Sequence, residues 1–256
     1  MNELYDAPAF EDQKKAWSNP PVDDVGYIAS KELLALPDDQ FLGMFTRMEQ
    51  TRYTGWRNWN RHWRDVLGLD ETRGKEVLDY GCGVGLEALQ YARNANRVWV
   101  ADIAPDNLKV AQRLFTLNKE ALEGELLIPE QPPFLPARFN ELFDVIHCCG
   151  VLHHIPEPRP VVEGMHDWLY EQGELRLMLY SDDAWKIATG TEPPEGDVSG
   201  YEEFETFVRH WDGVGDWADW YDKRKLMDLV GDLFALNRYR PLTSDGAYVG
   251  AVLVKR

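Results

Sequence analysis

Residues 77–89 read VLDYGCGVGLEAL: an apolar run, a turn with Gly81, Gly83 and Gly85, then an apolar pattern of helical period. A strand that enters a glycine-rich turn and leaves it as a helix is the opening unit of an α/β sheet. Glycine at every second position leaves no Cβ in the way, so a ligand can approach the backbone closely. The spacing is GxGxG. Leu86 stands where a dinucleotide-binding turn would carry its third glycine, and no Gly-Lys-Ser/Thr follows, so this is not a P-loop. A second acid, Asp102, ends the next apolar run, RVWVADI, 21 residues after Gly81 (102 − 81). An acid at that place can hold both hydroxyls of a ribose in a doubly wound sheet.

Downstream, strands and helices alternate. EVLDYG, RVWVADI, the short ELLIP, FDVIHCCG, ELRLMLYS, FALNRYRPL and AYVGAVLVKR read as seven strands. LEALQYARNA, PDNLKVAQRLFTLNKEAL, PRPVVEGMHDWLYEQG and DKRKLMDLVGDLF contain helices, the third ending near Gly173. Pro105 falls in a first turn, where its missing N–H costs little. This pattern predicts an α/β, doubly wound, mainly parallel seven-stranded sheet. The short TSDG turn makes the last two strands an antiparallel hairpin.

Residues 1–69 are expected to be an N-terminal arm and helical lid, and residues 70–256 the main domain. In the helical stretch 41–68, Phe41, Phe45 and Met48 form one stripe, and Trp56, Trp59 and Trp63 share a face. Those tryptophans either pack on the main domain or cover a ligand pocket. Residues 181–221 hold eleven acids, two bases and eight aromatics. Acidic linkers are poor in aromatics, so this segment folds onto something, as a cap at the sheet edge where ligands bind. Tyr180, Trp185, Trp211 and Trp217 are its candidate substrate contacts. Rings and carboxylates there suit a cationic or aromatic acceptor.

The formal net charge is −17, from 44 acids and 27 bases. Such a surface repels phosphate backbones and anionic membranes, so nucleic acid and membrane are poor partners. Three cysteines without a CxxC support neither a disulfide framework nor a zinc site, and no metal is expected. With no long apolar run and no signal-like start, a cytoplasmic location is the expectation.

The segments LDYGCGVG, VADIAPDNL, FDVIHCCGVLHHIPEP and the closing strand pair resemble the class I S-adenosylmethionine-dependent methyltransferases, in their small-molecule branch. The resemblance covers about residues 70–256 and implies S-adenosylmethionine as cofactor. It implies that Asp79 lies near the methionine moiety, that Asp102 binds the ribose, and that Ile103 borders the adenine. The backbone at Cys149 and Gly150 would line the methionine side. The family's usual acid for the adenine amino group is missing: Ile128 stands there, and Glu130 two residues on is the candidate substitute. His153 and His154 would face the pocket, as a catalytic base or as positioning groups. The expected function is methyl transfer to a small molecule, on oxygen, nitrogen or carbon. A catalytically silent cofactor-binding regulatory module, and a methyltransferase acting on a macromolecule, stay open as alternatives.

Overall fold

The computed structural model describes residues 14–19, 26, 28–122, 139–211 and 217–256. Its centre is a six-stranded sheet. The strands are β1 (Glu76–Tyr80), β2 (Arg97–Ala101), β3 (Phe143–Cys149), β4 (Leu169–Tyr180), β5 (Phe234–Pro241) and β6 (Tyr248–Lys255), in the order β2-β1-β3-β4-β6-β5. Pairing is parallel from β2 through β4 and antiparallel on both sides of β6. ELLIP, the expected third strand, lies outside the described residues, as do Ile128 and Glu130. The doubly wound α/β class stands, with six strands among the described residues. The hairpin turn is held by Asp245, whose carboxylate accepts from Thr243 Oγ1 (2.6 Å) and the Ala247 N–H (3.1 Å).

Alternation along β1 explains the two layers. Val77 belongs to an apolar cluster on one face, while Leu78 and Tyr80 belong to a second cluster on the other. Helices α4 (Leu86–Arg93) and α5 (Pro105–Asn118) pack in the first cluster; α6 (Arg159–Trp168) and α9 (Lys223–Val230) pack in the second. The chain leaves β1 toward β2 on one side and later returns to β3 on the other. The crevice at this reversal is where open α/β sheets bind ligands.

Two local expectations are corrected. Helix α6 stops at Trp168, not near Gly173. Residues 170–173 bulge out of β4, so that Phe143 pairs with Leu169 but Val145 pairs with Glu174. Gly173 is needed because a Cβ there would lie 2.9 Å from the Tyr170 carbonyl oxygen, not because it caps a helix. The stretch 41–68 is also not one helix. After α1 (Ser30–Ala35) come α2 (Asp38–Thr54), a 3₁₀ turn (Trp56–Arg61) and α3 (His62–Leu67). Gly55 is extended, and Asn60 and Arg61 are left-handed, so the backbone of 41–68 is broken at these positions. Trp63 is buried in the core with Val66 and Leu67, and Trp59 sits at the surface against His62.

After β4 the chain forms α7 (Asp182–Thr189), a 3₁₀ turn (Val198–Gly200) and α8 (Phe204–Trp211). Ser181 caps α7 by accepting the Ala184 N–H. These elements carry a third apolar cluster of their own, with Trp185, Val198, Phe207 and Trp220. Among the described residues no helix is long and apolar enough to cross a membrane.

Candidate functional site

The glycine turn is shaped by backbone bonds. The N–H groups of Gly81 and Cys82 both donate to the Ala101 carbonyl at the end of β2 (2.8 and 3.1 Å), and the Gly85 N–H donates to the Cys82 carbonyl (2.8 Å). All three glycines have positive φ: +72°, +51° and +79°. Their surroundings differ. A Cβ on Gly81 would fall 2.2 Å from Val151 Cγ2, and one on Gly85 would fall 2.7 Å from Ala111 Cβ. A Cβ on Gly83 would meet nothing within 4 Å. Gly81 and Gly85 are thus required by packing, while Gly83 faces open space.

Asp102 grips this turn. Its Oδ2 accepts the Gly83 N–H (2.8 Å), and its Oδ1 accepts the Ala104 N–H (2.8 Å) and Asn107 Nδ2 (3.0 Å). Burial pushes its pKa up to about 6 despite these three donors. A carboxylate has about four acceptor positions, so capacity remains for a ligand hydroxyl. Ile103 beside it is half-buried.

Asp79 is buried at the end of β1, and its Oδ2 accepts the Ala88 N–H (3.2 Å) in the first turn of α4. It therefore satisfies an end donor of a helix whose N-cap, Gly85, has no side chain. Burial, then the neighbouring Glu87, raises its pKa well above the usual value.

Beneath the turn lies a buried polar layer that the sequence pattern did not disclose. Arg52 Nη1 on α2 donates to both carboxylate oxygens of Glu87 (2.7 and 2.8 Å). Burial pulls the Glu87 pKa upward, but the charge and hydrogen bonds of Arg52, together with His147 and a backbone bond, bring it below the ordinary carboxylate value. His147 sits beside Asp79 in strand register, in contact with the Tyr91 hydroxyl (3.3 Å). Burial lowers its pKa to about 4, so it is neutral, and its Nε2 has no partner among the described residues. The signal for His147 was its register with Asp79, which needs the sheet order. Nothing local announced Arg52, 35 residues from Glu87.

Cys149 and Gly150 end β3 half-buried. The Gly150 N–H donates to the Met178 carbonyl (3.2 Å). All three cysteines are free, and burial raises each thiol. A 3₁₀ turn, Leu152–His154, then sets both histidines against the end of β4. The His153 ring lies 4.1 Å from the Tyr180 ring and 4.2 Å from that of His154. Burial, with the neighbouring His154, lowers the His153 pKa far enough to keep it neutral. His154 Nδ1 lies 3.0 Å from the Trp217 carbonyl oxygen. A carbonyl only accepts, so Nδ1 carries the proton and Nε2 is the basic nitrogen.

The chain returning from the segment after β4, at residues 217–221, is fastened to this wall. The Asp219 N–H donates to the His153 carbonyl, and the Tyr221 N–H to the Tyr180 carbonyl, both at 2.8 Å. Tyr180 contacts the rings of Phe207, Trp211 and Tyr248. Trp211 and Trp217 are half-buried at the cap's edge, whereas Trp185 lies 5.0 Å from Phe207 with 1% of its surface exposed. The structure thus brings Asp79, the glycines, Asp102, Cys149, Gly150, His153, His154 and Tyr180 to the C-terminal edge of adjacent strands. Trp185 is set apart, inside the cap. Among the described residues no group of His, Cys, Asp or Glu is placed to hold a metal ion.

Comparison with known proteins agrees with this geometry. An Erwinia tasmaniensis protein named ubiquinone biosynthesis O-methyltransferase is 29% identical over 180 residues, covering 67% of this chain and 68% of that protein. An Idiomarina loihiensis protein of the same name is 33% identical over 108 residues, covering 40% of this chain and 41% of that one. The chain thus spans about two fifths of the length of several curated relatives it matches. A solved methyltransferase from Aquifex aeolicus, described as SAM-dependent, superposes with a TM-score of 0.55 at 13% identity, covering 86% of this chain and all of that one. That likeness concerns the fold. The sequence model of the methyltransferase domain matches residues 49–231, most of the chain. With that match, and with an acid gripping the one turn glycine that faces open space, the chain belongs to the methyltransferase-domain family, as a class I S-adenosylmethionine-dependent member.

Proposed function

We propose that the chain methylates a hydroxyl group on an aromatic small molecule, with S-adenosylmethionine as donor. The observation that carries this reading is the pairing of two walls on one sheet edge. One is the Asp102-gripped glycine turn; the other is the ring wall of His153, His154 and Tyr180. When bound, the cofactor supplies an electrophilic methyl group on its sulfonium. Asp102 accepts from a ribose hydroxyl at the position its three protein donors leave on Oδ2, Gly83 leaves room for the ligand, and Asp79, Cys149 and Gly150 border the methionine end. His154, through Nε2, takes the proton of the acceptor hydroxyl. Neutral His153 and Tyr180, both buried, back His154 and exclude water.

Six of the eleven acids in residues 181–221 are taken up by bases, which favours an aromatic acceptor over a cationic one. Asp182, Asp183 and Glu192 surround Lys186, Glu195 meets Arg224, Glu205 meets Arg209, and Asp219 meets Lys225. Those carboxylates are engaged at bases and do not form a cage for an amine. Tyr180, Trp211 and Trp217 remain as acceptor contacts, and Trp185 holds the cap together. The name shared by the curated relatives supports oxygen as the atom methylated.

The test is release of S-adenosylhomocysteine from the purified chain with panels of phenols, amines and carboxylic acids. Turnover with phenols or catechols is expected; turnover confined to amines would overturn the acceptor class. His154→Ala should lower turnover by about 10²–10⁴-fold and remove the pH dependence, and His153→Ala should do less. Near-normal turnover in His154→Ala would remove the base and leave proximity alone.

A further inference from the structure

Asn107, two residues into the helix that follows Asp102, has no role in the reading above. It is 2% exposed, and all of its side-chain bonds reach other elements. Ser30 Oγ of α1 donates to its Oδ1 (2.5 Å); the amide's orientation is fixed at the other end, where both partners of Nδ2 only accept. Its Nδ2 then donates twice, to Asp102 Oδ1 and to the backbone carbonyl of Trp17, both at 3.0 Å. The Ser30 N–H reaches the Ser18 carbonyl (3.0 Å), next to Trp17. Residues 14–16 form a helical turn, closed by the Ser18 N–H on the Lys14 carbonyl (3.1 Å). The Trp17 ring lies 4.8 Å from the His154 ring. One amide thus touches the acid on the cofactor side and the arm residue that roofs the histidine on the acceptor side.

We propose that Asn107 is a positioning residue that ties Trp17 to Asp102, so that cofactor binding at Asp102 sets Trp17 against His154. This rests on the reading of Asp102 as the ribose acid. The physical link is short. A ligand held by Asp102 restrains the carboxylate, the carboxylate orients the Asn107 amide, and the second N–H of that amide holds the Trp17 carbonyl. Burial, which raises the Asp102 pKa, by itself favours the neutral carboxyl. Hydroxyl donors from the ligand favour the ionised carboxylate, which accepts the Asn107 N–H more strongly. Bound cofactor would then hold Trp17 more firmly in the acceptor wall it already lines, and bound acceptor would in turn strengthen cofactor binding.

Hydrogen exchange on the full chain, with S-adenosylhomocysteine as probe, tests this without any acceptor. In the wild type, saturating probe should slow exchange of the peptide spanning 14–19 by about tenfold, within the usual range of coupling between sites. In Asn107→Leu, which keeps volume and loses the bonds, calorimetry sets saturation and the slowing should fall below about twofold. Asn107→Ala serves if the leucine variant does not fold, with circular dichroism as the check. Equal slowing in wild type and variant overturns the proposal. So does a wild-type arm whose exchange ignores the probe while calorimetry records binding. Absence of probe binding to the wild type would instead overturn the cofactor reading, and this inference with it.

Discussion

Gly83 and Trp185 meet their surroundings in opposite ways. A Cβ added to Gly83 touches nothing, while Trp185 is almost wholly enclosed by Phe207 and its neighbours. The glycine turn is held by backbone bonds to Ala101, Cys82 and Asp102, and its space exists because side chains are missing. The cap is held by side-chain bulk, with Trp185 Nε1 on Thr191 (3.2 Å) and Trp211 Nε1 on the Ala184 carbonyl (2.8 Å). One region spends its residues on leaving room, the other on filling it. In the turn, the residue that faces open space differs from those that keep the fold. In the cap, the rings that fold the segment are lost to any ligand, and only those at its edge remain. Binding and stability are therefore separable by substitution.

The sharpest break should come at the cap. Trp185→Ala removes a fully buried ring and should destabilise the protein by about 3–5 kcal/mol, the range for large aromatic truncations. Denaturant unfolding measures it. Affinity for S-adenosylhomocysteine in the folded variant should stay within about twofold, because Trp185 packs on Phe207 and Thr191 while the turn is held by Ala101, Cys82 and Asp102. A tenfold loss would mean that the two regions are one.

The turn should behave the other way, and its own glycines supply the control. Gly83→Val puts a side chain into open space, so the fold should bear only the left-handed strain of about 1–2 kcal/mol. Affinity should drop on the order of 1000-fold, about 4 kcal/mol, if the ligand fills that space. Gly81→Ala meets Val151 instead, adding an overpacking cost of about 1–3 kcal/mol to the same strain. Calorimetry and thermal unfolding on both variants separate the two. Normal binding by Gly83→Val would mean that the turn does not approach the ligand.

The same contrast explains what could be read from the chain alone. A turn built by absent side chains needs glycine at fixed places, so Gly81, Gly83, Gly85 and the acid at 102 were legible, as was the strand and helix alternation. The hairpin at 243–246 was legible because its turn chemistry is local. Trp168 was not legible as a helix end, since the bulge that follows depends on pairing with β3. The continuous helical stretch expected over 41–68 failed on the backbone of Gly55, Asn60 and Arg61, which periodicity does not sense. In the cap, composition announced a folded segment but not which rings face inward. Arg52 on Glu87 and Trp17 on Asn107 join residues 35 and 90 apart, and such pairs appear only when the chain is folded. Asn107 did stand within VADIAPDNL, so its place was in view although its partners were not.

The smallest effect tests whether the cofactor side is electrostatic as well as spacious. Burial raises the Asp102 pKa to about 6, above the ordinary carboxylate near 3.9. The folded state therefore holds a proton that the unfolded state has lost between those values. The resulting stability is present in full below about pH 3.9 and is lost as pH rises through about 6. Asp102 thus makes the unliganded fold weaker at neutral pH, while its ionised form is the better acceptor for ribose hydroxyls. Affinity for S-adenosylhomocysteine should be flat above pH 7 and fall on acidification below about 6, approaching tenfold per pH unit at most. Asp102→Ala should weaken binding at pH 7.5 by about 1.5–3 kcal/mol, the range for bonds to a charged group. It should also flatten the acid limb. Calorimetry between pH 5 and about 7.5 reads both effects. An acid limb that survives in Asp102→Ala would assign the proton elsewhere and leave the glycine turn as a purely steric cradle.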